Sequence, residues 1–248
     1  MQSSNEDYKK AMQKDSKEYA DYFLKHLHVK SEQQKFLEQL IRQDAPAHPA
    51  VIADIACGAG TLTHHISKMY PQAAYYLIDV NEEALKLADA ALADLPGKHI
   101  INGSIYDLSR WEEKFDLVFC WQTLSWLDKP ELALDQLVKS CKKGGRIYLS
   151  SLFNLYHDVD VYSAVADHTR ESAKEGLKAS YNTYSAYSVE KWLRDKVSSY
   201  RFHEFIPQVD FEYAGRGVGT YTIQTREGKR LQVSGGMLMN WSVLEIHK

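Results

Sequence analysis

The sequence predicts an α/β protein built on a doubly wound, mostly parallel sheet. Three observations carry that expectation. Val51 to Ile55 is a short apolar run that stops at small residues, Ala56 to Gly60, and a helical spacing of Leu62, Ile66 and Met69 follows. Strand and helix patterns then alternate for about a hundred residues, the βαβ rhythm of a parallel sheet. Acids close the first two strands, Asp54 in one and Asp79 in the next, 25 residues apart.

Length and composition set the bounds. At 248 residues with 44% apolar content, the chain has the material for one large core. A net charge of −3 and the lack of a Lys/Arg run predict no nucleic-acid partner. The first residues carry no apolar signal-like segment, and no run is long enough to span a bilayer. Cys57, Cys120 and Cys141 are scattered and odd in number, so a reducing, cytoplasmic setting without a metal site is expected. A monomer or homodimer acting on a small molecule fits these bounds.

Residues 6–43 read as helices. Tyr8, Met12, Tyr19, Tyr22 and Phe23 recur at helical spacing, and a second run from Ser31 carries Phe36, Leu37, Leu40 and Ile41. Ser31 and Gln34 have the spacing of a capping box. Pro46 and Pro49 then stop the helix. Residues 1–45 are therefore expected to form a helical lid, and 46–248 the main domain.

The turn at 56–60 has almost no side-chain bulk. A ligand can approach its backbone closely, and the free N–H groups of a helix N-terminus lie beside it. Ala74 to Asp79 is the second strand. In doubly wound folds an acid at its end takes the ribose hydroxyls of an adenosine cofactor, because a carboxylate accepts from two hydroxyls at once. Asp79 and the following Val80 thus suit S-adenosylmethionine (SAM) and NAD alike. Asn81 is placed to cap the next helix.

Asp54-Ile55-Ala56-Cys57-Gly58-Ala59-Gly60 resembles the first motif of class I SAM-dependent methyltransferases, an acid followed by three alternate glycines, with Ala56 at the first glycine. The nicotinamide fingerprint fits less well, since Thr63 stands where its third glycine belongs. Phe115-Asp116-Leu117-Val118 and Lys142-Lys143-Gly144-Gly145-Arg146 resemble later motifs of the same family, in the right order. The resemblance spans about Val51 to Ser151. It implies a Rossmann-like sheet of seven strands, mostly parallel with an antiparallel last strand, and SAM as cofactor.

The resemblance also assigns roles. Asp54 would face the methionine amino group, and the backbone at Ala56, Gly58 and Gly60 would cradle the cofactor. Ser104 and Ile105 would meet the adenine. Trp121 and Gln122 would border the methionine and the acceptor. The N-terminal helices would lie over the cleft, with Tyr19 on the cofactor and Tyr22 on the acceptor; core packing is the competing reading for both. Trp126 is either an acceptor contact or ordinary core.

Beyond Ser151 the rhythm breaks. Phe153 to Asp158 leaves the carboxyl end of the fifth strand, the edge at which such sheets bind ligands. Asn154 and Tyr156 are acceptor-site candidates there, and His157 is the candidate general base, against the plainer reading of a solvent-exposed loop histidine. Residues 160–184 read as polar helix, 188–200 as an amphipathic helix, and 220–225 with 230–234 as a hairpin around Gly228. Insertions are expected at about 152–186 and 211–240, the second carrying Arg216 as an anion contact or forming a mere edge extension of the sheet. Strands near 202–210 and 241–247 would complete the sheet, the last beside the fifth. The segments 216–222 and 234–241 resemble methyltransferases of bacterial surface-polysaccharide pathways, including those acting on a capsular phosphoramidate. The implied activity is transfer of a methyl group to O or N of a small molecule, possibilities being a sugar- or phosphoramidate-type metabolite or one of secondary metabolism. A SAM-binding regulator without turnover and a nicotinamide oxidoreductase are the alternatives.

Overall fold

The computed structural model describes residues 10–11, 14–15, 23, 25–213 and 220–248. Its centre is a sheet of strands β1 (Val51–Ile55), β2 (Ala74–Asp79), β3 (Lys98–Asn102), β4 (Phe115–Trp121) and β5 (Cys141–Asn154), completed by β9 (Ser199–Glu204) and β13 (Trp241–His247). The order is β3-β2-β1-β4-β5-β13-β9. The first five strands are parallel, and β13 runs antiparallel between β5 and β9. This is the expected Rossmann-like topology, with one addition: β8 (Tyr184–Ser185) pairs with the far end of β5.

Helices cover both faces, as the near-continuous apolar strands require. On one face α1 (Glu32–Asp44), α2 (Thr61–Ile66) and α3 (Glu82–Ala91) bury Leu37, Ile41, Leu62, Leu85 and Ala88 against Ile52, Leu77 and Phe119. On the other, α4 (Pro130–Ser140) and α6 (Ala186–Leu193) bury Leu134, Leu137, Val189 and Leu193 with Val118, Ile147 and Leu149. Ser31 and Gln34 form the capping box of α1, each side chain bonding the other's backbone N–H. Asn81 Oδ1 caps α3 by accepting from the N–H groups of Glu83 and Ala84.

The structure moves several boundaries. The Lys142-Lys143-Gly144-Gly145 stretch opens β5. A Cβ on Gly145 would lie 2.6 Å from Cys141 Sγ and 2.9 Å from the Asp116 carbonyl oxygen, so only glycine passes this crowded bulge. Asp116 fixes the junction: it accepts from Val51 N at 2.8 Å and from Lys142 Nζ at 2.7 Å. Residues 160–184 are not a helix. They hold β6 (Ala164–Val165), a single turn α5 (Glu171–Lys174), β7 (Ala179–Ser180) and then β8. Long-range side-chain bonds override the local propensity. Asp160 accepts from Ser185 N and from the hydroxyls of Ser185 and Ser188 at 2.6–2.7 Å. Asn182 joins Ser163 N, the Leu127 carbonyl and the Tyr184 hydroxyl. The helix expected at 188–200 is α6, which stops at Leu193 so that β9 can begin at Ser199, three residues before the expected strand. The hairpin at the chain's end forms as β10 (Thr220–Gln224) and β11 (Arg230–Ser234), with β12 (Met237–Leu238) added to it.

Candidate functional site

The carboxyl ends of β1, β2 and β4 open into a cavity of about 270 Å³. The turn after β1 forms its floor. Ala56 N donates to the Ile78 carbonyl at 2.7 Å, which folds the turn back over β2. Ala56 (φ 59°) lies in the left-handed region, where a Cβ is disfavoured by about 1 kcal/mol. Gln122, just past β4, is also left-handed at φ 54°. Two such non-glycine residues lining one cavity mark a turn shaped for something other than stability. Gly58 and Gly60 differ in duty. Gly58 lines the cavity, its missing Cβ facing the Phe23 ring at 3.2 Å. Gly60 does not line it. A Cβ there would press on Ala88, Leu92 and Leu77 at 3.1–3.2 Å, so Gly60 lets α3 close on β2.

Two carboxylates supply the polarity. Asp54 is buried at 3% exposure; its Oδ2 accepts from the Thr63 hydroxyl at 2.7 Å, while Oδ1 has no partner. Burial pushes its pKa up to about 7; the Thr63 hydroxyl opposes this and the neighbouring Asp79 charge adds to it. A buried oxygen left unpaired on a cavity wall is a demand for a donor, and a cationic amine meets it best. Asp79 accepts from Gly58 N and Asn81 N, both at 2.8 Å. Those bonds aim its carboxylate along the turn, and a carboxylate oxygen accepts more than one bond, so a hydroxyl can join them. The three cysteines are unpaired and buried, and burial raises their thiols, those of Cys120 and Cys141 to about 12.

Ten of the residues picked out in the sequence line this cavity: Asp54, Ala56, Gly58, Asp79, Val80, Ser104, Ile105, Trp121, Gln122 and Trp126. Asn154, Tyr156 and His157 do not. Asn154 donates to the Val159 carbonyl at 3.2 Å, and Tyr156, 67% exposed, donates to Glu204 at 2.9 Å. His157 is an exposed loop residue. Tyr19, Tyr22 and Arg216 lie outside the described residues.

Further residues join from remote segments: Phe23, His26, Ser31 and Gln34 from the N-terminal side, Tyr181 from the stretch before β8, and Trp241 from β13. Ser31 and Gln34 carry a sequence signal, but it is that of a helix cap. Gln33 on α1 accepts from Gln122 Nε2 at 2.7 Å and so ties this helix to the cavity's rim. Trp126 and Tyr181 face each other with ring centroids 4.4 Å apart, and Trp241 packs in the same small core with Leu152 and Met239. The cavity therefore has a carboxylate-rich half against the turn and an aromatic half across from it.

This fold, with its acid-flanked turn, is that of the class I SAM-dependent methyltransferases. Residues 53–147 match the family model described as a methyltransferase domain. A malonyl-[acyl-carrier protein] O-methyltransferase of Halalkalibacterium halodurans is 31% identical over 130 residues, covering 50% of this chain and 48% of that one. The chain thus spans about half the length of this curated relative, and 38% of the next. Among solved structures, a SAM-dependent methyltransferase from Thermotoga maritima superposes with a TM-score of 0.55 at 16% identity, covering 96% of this chain and 98% of that one. The 1,6-didemethyltoxoflavin N1-methyltransferase of Burkholderia thailandensis, with bound 1,6-didemethyltoxoflavin and S-adenosylhomocysteine, gives 0.50 at 14% identity over 87% and 76%. Likeness at that identity shows the fold.

The family's cofactor is SAM, and the residues present fit it. The unpaired Asp54 Oδ1 suits an amino group, the Asp79 carboxylate suits a pair of hydroxyls, and the bare turn between them admits a ligand against the backbone.

Proposed function

We propose that this chain transfers a methyl group from SAM to an oxygen or nitrogen of a small-molecule acceptor. One observation carries the reading: a buried, unpaired carboxylate oxygen and a second carboxylate open into the same cavity as a wall of aromatic rings. The bound cofactor would supply an electrophilic methyl carried on a sulfonium. Asp54 and Asp79 would hold the two ends of such a molecule, and the aromatic half would hold the acceptor against it. Holding the two in line at about 3 to 3.5 Å is the main contribution an enzyme makes to such a transfer.

An alcohol acceptor must also lose a proton. His26 carries the single imidazole among the described cavity residues, so this role passes to it from the exposed His157. Burial lowers the His26 pKa, which keeps the ring neutral and able to accept a proton near pH 7. The His26 carbonyl is held by His65 Nε2 at 2.8 Å, which fixes this stretch over the turn.

The aromatic walls suit a ring-shaped acceptor, a sugar of surface-polysaccharide type or a heterocycle of secondary metabolism. A phosphoramidate or a carboxylate would call for a cation, and no Lys or Arg lines the cavity among the described residues. The test is titration calorimetry with SAM and with NAD, followed by labelled-methyl transfer to a panel of nucleotide sugars, heterocycles and malonyl-acyl-carrier protein. SAM binding with transfer to a ring acceptor is the expected result. NAD binding without SAM binding rejects the reading, and SAM binding without transfer to any acceptor leaves a regulator. His26→Gln should lower turnover on an alcohol acceptor at least tenfold, with His157→Ala unchanged; the reverse pattern would restore His157 to the role.

A further inference from the structure

On the face of the sheet covered by α1, away from the cavity, four side chains that the cofactor site does not use converge. Glu245 and His247 are two apart on β13 and share a face. His203 comes from β9, and Asp44 is the last residue of α1. His247 Nε2 lies 3.0 Å from Asp44 Oδ2 and 3.2 Å from Glu245 Oε1. The ligand atoms of these three residues all fall within 4.8 Å of one another. Glu245 is buried at 3% exposure, and its other oxygen meets His203 Nε2 at 2.7 Å.

We propose that Asp44, Glu245 and His247 bind one divalent transition-metal ion of the zinc type, with His203 positioning Glu245. The argument is geometric and chemical. Bonds of about 2.0–2.2 Å to a tetrahedral ion set its donors roughly 3.3–3.6 Å apart. The two separations from His247 need to open by only a few tenths of an ångström, and the two carboxylate oxygens lie within 4.8 Å of each other. Two carboxylates and an imidazole form a donor set that zinc accepts, leaving the fourth position to water, whereas magnesium prefers six oxygens. The His203 contact to the far oxygen of Glu245 is the outer hydrogen bond that usually orients a ligating carboxylate. An ion here also has work to do. The His247 nitrogen offers a single proton between two carboxylates, and although the Tyr148 hydroxyl also donates to Glu245 Oε1 at 3.2 Å, a cation neutralises both charges. One neighbour opposes it: Arg146 Nε stands 3.9 Å from Asp44 Oδ2 and repels a cation.

That opposition gives the test its sign. The full chain, stripped with chelator, is titrated with zinc chloride and, in parallel, with magnesium chloride. We expect one zinc per chain, no magnesium binding, and a rise in melting temperature with zinc. His247→Ala and the half-exposed Asp44→Asn should each weaken zinc at least tenfold, and Arg146→Gln should tighten it. Circular dichroism checks that the variants fold, and Asp44→Asn carries the test should His247→Ala not. Absence of zinc binding overturns the proposal. So does zinc binding that survives both substitutions, which would place it on the chain's other histidines, and so does an Arg146→Gln variant that binds zinc more weakly.

Discussion

Replacing Asp54 with asparagine separates what the site requires from what the fold would prefer. The carboxyl has an ordinary value of 3.8 and is pushed up to about 7 in the folded chain. Below pH 3.8 it is protonated in both folded and unfolded chains and contributes nothing to their difference. Between 3.8 and about 7 the unfolded chain ionises first, so stability falls as pH rises. Above 7 the folded chain must ionise as well, and the cost is complete. At about 1.4 kcal/mol per pKa unit, that interval amounts to about 4 kcal/mol. The asparagine would bring a buried amide of its own, which returns roughly 1–3 kcal/mol of the gain. The net expectation for Asp54→Asn is a more stable chain at about pH 8.5, by about 1–3 kcal/mol, with the advantage shrinking toward about pH 5. Urea unfolding followed by tryptophan fluorescence at several pH values measures it. SAM affinity should fall by about 1.5–3 kcal/mol in the same variant, because a charge-assisted bond to the amino group is lost. A stability difference that does not change with pH, or a substituted chain less stable than the parent on the alkaline side, would refute the claim that an uncompensated buried charge sits at the end of β1.

The remaining expectations follow from the same turn. Asp79→Ala removes the acceptor for Gly58 N and Asn81 N together with the ribose contact, so calorimetry should show SAM affinity down by about 1–3 kcal/mol, while Asp79→Asn loses less; unchanged affinity in both would put the ribose elsewhere. Gly58→Val and Gly60→Ala should divide cleanly. The first should abolish cofactor binding and also lose about 1–2 kcal/mol of stability to the left-handed backbone at φ 54°. The second should cost about 1–3 kcal/mol of stability through overpacking against α3; the opposite pattern would exchange their duties. Ala56→Gly relieves a left-handed Cβ at about 1 kcal/mol and adds chain entropy of similar size, so its stability should stay within about 1 kcal/mol of the parent. A larger loss in denaturant melts would mean that the methyl packs against something the turn depends on.

How far the chain could be read beforehand depended on how local the determinants are. The capping box at Ser31 and Gln34, the Asn81 cap and the apolar strands are short-range signals, and each sits in the structure where the residues place it. Asp54 and Asp79 were legible because a strand end fixes where a side chain emerges. The place of β13 between β5 and β9 came from the family resemblance, since nothing local in Trp241–His247 names its neighbours. The 160–184 stretch misled because its alanines, lysines and glutamates favour helix, while Asp160 and Asn182 hold it in another shape through partners up to 55 residues away. The aromatic half of the cavity was hidden for the same reason. Tyr181 and Trp241 are 60 residues apart, and only packing around Leu152 and Met239 brings them together. His157 had the right chemistry but stands on a loop that leads away from the cavity.

The insertion of β13 between β5 and β9 bears on how the molecule is made. While the ribosome is still adding residues 241–247, the parallel half of the sheet can assemble, yet β5 must present an unpaired edge of Leu149, Leu152 and their neighbours. Such an edge invites pairing with other nascent chains until the final strand arrives. Truncations that remove Trp241–His247 should therefore aggregate during synthesis, or need a chaperone, even though every residue of the bare turn and both its acids would already have been translated.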